Sequence, residues 1–133
     1  MVNTGTAAVD ITPPLGTLIP GLFYERRAEV INDPLLARSF VFEKGGEGIA
    51  VVVCDLIGVK RAFLDRARER ITKDTGLDPE RVIICCTHTH TGAQTGEDAY
   101  TEFLIGRSRH KCPSPPRRGQ YNYSRRWGRI RSA

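Results

Sequence analysis

Nowhere does the sequence contain the roughly 20 consecutive apolar residues that a membrane-spanning helix needs. Its start, Met1-Val2-Asn3-Thr4-Gly5, has neither the basic patch nor the apolar run of a secretory leader, so an intracellular, cytoplasmic chain is expected. Cysteine is sparse. There are four, two of them adjacent at Cys85 and Cys86, and together they give no framework spacing, so reduced thiols are expected. Acidic residues are absent from 107 to 133, where nine basic residues fall. Residues 1 to 106 therefore hold eleven basic against fifteen acidic residues, and the net charge of +5 belongs to the tail rather than to the body. With 133 residues, the chain is one domain at most, or part of one.

What is present up to about Ile105 reads as α/β. Thr6 to Ile11 is a short strand, stopped by Thr12-Pro13-Pro14, because proline supplies no ladder donor. Leu15 to Asn32, with Gly16, Pro20 and Gly21 and no sustained period, reads as a long irregular loop of the kind that is functional or ordered by a ligand. Leu36 to Glu43 and Ile49 to Asp55 flank Lys44-Gly45-Gly46-Glu47-Gly48 and form a hairpin. Ile49 to Cys54 is apolar without alternation, which predicts a central strand covered on both faces. From Lys60 to Thr75, Phe63, Leu64, Ala67 and Ile71 recur at helical spacing, and Gly76 stands where a helix ends in a left-handed residue. Arg81 to Thr87 is a second buried strand, so strand, helix and strand form a βαβ unit, for which the parallel, right-handed crossover is the rule. A further helix is expected from Asp98 to Ile105. The expected architecture is thus a partial mixed β-sheet with a hairpin, a right-handed βαβ unit and helices packed on the sheet.

After Arg107 the character changes. Pro113, Pro115, Pro116 and clustered arginines, with no hydrophobic period, predict a disordered basic tail or a shifted reading frame over 107–133. Tyr121, Tyr123 and Trp127 among those arginines would suit single-stranded nucleic acid, but charge runs in tails are ordinarily solvated, and nucleic acid is not the expected partner.

Chemistry concentrates in Thr87-His88-Thr89-His90-Thr91-Gly92, directly after a buried strand, and ligands of open α/β sheets bind beyond the carboxyl ends of the strands. If the extended conformation continues, His88 and His90 project to one side, where they could share a zinc, or one could bind metal while the other handles a proton. Asp55, at the end of the neighbouring strand, could orient an imidazole or add a ligand, or simply cap the turn that follows. Cys86 falls on the same alternating face, with a small core residue as the commoner role. Asp10 reads as a turn residue, and His110 has no apparent partner.

Four segments in order, Gly5-Thr6-Ala7-Ala8-Val9-Asp10-Ile11-Thr12-Pro13-Pro14, Asn32-Asp33-Pro34-Leu35-Leu36-Ala37-Arg38, Val53-Cys54-Asp55-Leu56 and Thr87 to Gly92, resemble the beginning of the neutral/alkaline non-lysosomal ceramidase family. The resemblance runs from about Asn3 to about Arg107 and covers the first quarter or so of that family's catalytic domain. It implies a zinc-dependent amidohydrolase that cleaves a lipid-like N-acyl amide such as ceramide into fatty acid and sphingosine. In that family two histidines, a glutamate and a tyrosine hold the zinc. His88 corresponds to the first histidine ligand, and His90 would line the substrate site beside the metal as a catalytic residue. Zinc lowers the pKa of a bound water toward about 7 and polarises the carbonyl. Thr91-Gly92-Ala93 departs from the family's Ser-Gly-Pro, and the remaining ligands lie downstream of the matched segment. One or two imidazoles do not make a catalytic zinc site, so the chain by itself is expected to be inactive. A non-catalytic structural unit is the alternative. An incomplete sheet would also expose an edge, so self-association through that edge is expected.

Overall fold

The computed structural model describes residues 2–93, 95, 100, 101 and 104, and the backbone of 126–130. Its elements run β1 (Val2–Asp10), β2 (Leu36–Lys44), β3 (Glu47–Cys54), α1 (Arg61–Thr75), a single 3-10 turn (Pro79–Arg81), β4 (Val82–Cys86) and β5 (Arg126–Ile130). The sheet order is β4-β3-β2-β1-β5. The hairpin forms as its glycines dictate: β2 and β3 pair antiparallel through to Lys44 opposite Glu47, with Gly45-Gly46 between them. β3 and β4 pair parallel, Val51 opposite Ile83 and Cys54 opposite Cys86, with α1 as the crossover.

α1 buries the stripe Phe63, Ala67 and Ile71 and ends at Gly76, whose φ of 76° lets its N–H close on the Thr72 carbonyl at 2.8 Å. That stripe covers one face of the sheet. Ile71 packs with Val41, Ala50, Leu77 and Val82, and Phe63 and Ala67 with Val9, Ile11, Cys54 and Leu56. Tyr100, Thr101 and Leu104 are helical and buried; Tyr100 donates its hydroxyl to the Ile11 carbonyl at 2.6 Å. The rest of the helix expected from Asp98 to Ile105 lies outside the described residues.

Two expectations change. β3 is not covered on both faces. Phe40, Phe42, Ile49 and Ile83, which face away from α1, are 40 to 46% exposed, because the described residues provide one covering layer and the apolar pattern of β3 asks for two. Leu15 to Asn32 is less irregular than its composition suggests. The Leu18–Arg27 bridge, with Gly16 N–H to Ala28 O at 2.7 Å and Ile19 N–H to Arg26 O at 2.8 Å, folds it into a strap. Most of the basic tail lies outside the described residues, but Arg126–Ile130 pairs antiparallel with β1. Strand addition at an edge uses main-chain groups, so it needs no hydrophobic period in the added segment.

Candidate functional site

β4 ends at Cys86, and the ladder continues only as far as Thr87 N–H to Cys54 O at 3.0 Å. His88 then takes a left-handed conformation, φ 60°, the one described non-glycine residue with positive φ. That conformation costs about 1 kcal/mol or more in a residue with a Cβ, and such outliers gather at functional sites. The two-residue alternation expected from a continuing strand is therefore broken, yet the rings still meet. Their centroids are 5.1 Å apart in an edge-to-face arrangement, and both residues are exposed. What brings them together is anchoring rather than strand periodicity.

Each ring is held by its Nδ1. His88 Nδ1 lies 2.6 Å from the Ile57 carbonyl oxygen, and His90 Nδ1 lies 3.0 Å from the Gly21 carbonyl oxygen. A carbonyl only accepts, so both Nδ1 atoms carry hydrogen, and in the neutral ring Nε2 keeps its lone pair. Fixing one imidazole nitrogen by a carbonyl so that the other can bind metal or take a proton is the usual outer-sphere arrangement of metal-ligating histidines. Main-chain packing sets the loop close to β3: a Cβ on Gly92 would stand 2.8 Å from the Asp55 carbonyl oxygen, a place only glycine fits. Thr89 and Thr91 join hydroxyls at 2.7 Å and stiffen the turn between the histidines.

The ring separation fits a zinc site in part. Two imidazoles bound at about 2.0–2.1 Å to one tetrahedral ion have centres roughly 5 Å apart. Among the described residues no third histidine, cysteine, aspartate or glutamate joins them in a cluster able to hold a metal. Asp55 is committed elsewhere. Its Oδ2 accepts the Leu36 N–H at 2.9 Å and the Arg38 guanidinium at 2.9 Å, which ties the end of β3 to the start of β2. Asp55→Ala should cost about 2 kcal/mol, mostly from the orphaned Leu36 N–H since Arg38 stays hydrated, with zinc uptake unchanged. Urea denaturation and metal titration measure the two, and lost zinc uptake would make Asp55 a ligand after all.

Cys54 and Cys86 have a packing role. Burial pushes the Cys54 thiol up to about 12, and Cys86 is raised by burial first and by Cys85 second, so neither is a thiolate at neutral pH. Cys86 packs against the core beneath α1, apart from the exposed loop that carries the rings. Asp10 is a turn residue, as expected, accepting the Thr12 N–H at 2.8 Å. His110 lies outside the described residues. The sequence reading missed Ile57, Gly21 and Arg26. Ile57 contributes a carbonyl, which leaves no mark in sequence. Pro20-Gly21 marked a turn, but nothing local tied it to a histidine 69 positions away.

A mixed sheet with one parallel crossover helix has counterparts among solved structures. The crystal structure of neutral ceramidase from Pseudomonas aeruginosa superposes with a TM-score of 0.68 at 23% identity, over 81% of this chain and 20% of that one. The chain carries a neutral-ceramidase-like fold. A ceramidase complexed with C2 matches with a TM-score of 0.59 at 27% identity, over 69% of this chain and 15% of that one. The chain thus spans about a fifth of the length of the ceramidase chain it resembles. No protein-family model and no curated protein matches the sequence. No described helix of this ceramidase-like unit is long and apolar enough to cross a membrane.

Proposed function

We propose that this chain is the histidine-bearing N-terminal part of a zinc-dependent amidohydrolase of the ceramidase type, acting on a lipid-like N-acyl amide such as ceramide. The observation that carries this reading is the pair of exposed imidazoles, each with Nδ1 tied to a main-chain carbonyl and Nε2 without a partner among the described residues. His88 would be the metal ligand and His90 the catalytic residue beside it. Zinc, when bound, would supply Lewis-acid polarisation of the amide carbonyl. The work of the chain's own residues is more limited. Ile57 orients His88 through its carbonyl. His90, held in the same tautomer, offers Nε2 to accept a proton or, once protonated, to give one to the leaving amine. Two imidazoles, all that the described residues bring together, fall short of the three protein donors of a catalytic zinc, and the reading therefore expects the chain alone to be inactive.

Titration of the metal-free protein with zinc, followed by calorimetry, tests the role of His88. His88→Ala should weaken zinc binding at least about tenfold, the least that loss of a direct ligand should cost when loss of an outer-sphere partner costs 10–100-fold. Equal affinity in the two proteins would overturn the metal assignment. Hydrolysis of a fluorogenic N-acyl amide by the isolated chain would overturn its inactivity.

A further inference from the structure

The strap between β1 and β2 reaches His90 at two points. At one, Gly21 offers its carbonyl oxygen to Nδ1 at 3.0 Å. At the other, the Arg26 guanidinium donates through Nη2 to the main-chain carbonyl of His90 itself. Arg26 Nε is buried with no partner among the described residues, an unfavourable placement that the contact to His90 offsets. Ring and main chain of His90 are thus gripped by a segment more than sixty residues away in sequence.

Space at this point is exhausted. A Cβ on Gly21 would overlap His90 Nδ1, and would stand 2.7 Å from Ile57 Cδ1 and 3.0 Å from His90 Cε1. Ile57 is also the residue whose carbonyl holds His88, so any side chain at position 21 would press on the supports of both rings. Gly16, in the same strap, makes the comparison informative. It too has positive φ, 85° against 102° at Gly21, but a Cβ there meets nothing within 4 Å. Both glycines satisfy the backbone, and only Gly21 leaves room for an imidazole.

We propose that Gly21 and Arg26 are positioning residues that clamp His90, fixing its Nδ1–H tautomer and presenting Nε2 toward the site. This deepens the amidohydrolase reading and rests on it only for the use made of Nε2; the clamp itself belongs to the metal-free protein.

The test is nuclear magnetic resonance of the 15N-labelled full chain, metal-free, at about pH 8.5, where an ordinary imidazole is neutral. Two-bond nitrogen–proton correlations distinguish the tautomers. The parent protein and Gly16→Ala should show His90 as the Nδ1–H form. Gly21→Ala and Arg26→Ala should both lose that signature in favour of the Nε2–H form or a mixture, and Arg26→Lys, which can still donate to the carbonyl, should restore it. Thermal melts confirm folding; if Gly21→Ala does not fold, the Arg26→Ala and Arg26→Lys pair decides. A folded Gly21→Ala or an Arg26→Ala that keeps the parent tautomer overturns the proposal, as does a Gly16→Ala that shifts it equally. Because no metal is present, failure here is separate from failure of the zinc titration with His88→Ala.

Discussion

Replacing Leu56 by alanine should lower stability by about 3 kcal/mol, within the range found for buried leucines. Leu56 is 0% exposed and sits two residues beyond β3, packed with Ile11, Phe63, Ala93 and Tyr100 in the larger of the two core clusters. Loss of its side chain leaves a void that neither β3 nor α1 can close without moving, since both are fixed by ladder or helical hydrogen bonds. In a domain whose total stability is on the order of 5–15 kcal/mol, that is a large fraction. The consequence reaches the site. Leu56 immediately precedes Ile57, whose carbonyl anchors His88, and its Cα would lie 3.4 Å from a Cβ placed on Gly92. Urea denaturation should show the midpoint fall with little change in slope, and the His88 ring signals should broaden as its anchor loosens. A loss below about 1 kcal/mol would mean that the core is organised around other residues.

The second large effect is expected on association. Phe40, Val51 and Ile83 form one row across β2, β3 and β4, and Phe42 and Ile49 form the next, all on the face opposite α1. β4 is an outer strand of the sheet. An apolar face beside an outer strand invites a second copy, and we expect the chain to associate at micromolar concentration. The double substitution Phe40→Glu and Ile83→Glu would place two carboxylates on each contacting face. Burying unpaired carboxylates costs several kcal/mol, so association should weaken by at least about a thousandfold. Both positions are already exposed, so the melting temperature of the monomer should change little. Sedimentation velocity reads the outcome, and a parent chain that stays monomeric would sink the expectation.

Local pattern was legible in β2, β3, α1 and β4, because glycines stop β2 and α1, and β3 and β4 are short, almost wholly apolar runs. Gly45-Gly46 and Gly76 appear where the hairpin and helix end. The same apolar run that identified β3 misled about its surroundings: period reports what a strand can bury, and the layer that buries it comes from elsewhere. At the site, Thr87 to Gly92 identified the histidines but gave the wrong reason for their meeting. Alternation was expected to align them, whereas His88 at φ 60° breaks alternation and two distant carbonyls restore proximity.

The sequence by itself determined the order of β1 to β4 and α1, the βαβ unit and the identity of the imidazoles, since these depend on side-chain type and short-range spacing. Tertiary structure alone decided that Asp55 binds Arg38 and Leu36, that Cys86 belongs to the core, and that Gly21, Arg26 and Ile57 support the histidines. The division has a physical cause. Main-chain carbonyls and the space left by a missing Cβ act through position, and positions more than thirty residues apart are brought together only by the sheet and the strap that fold around it.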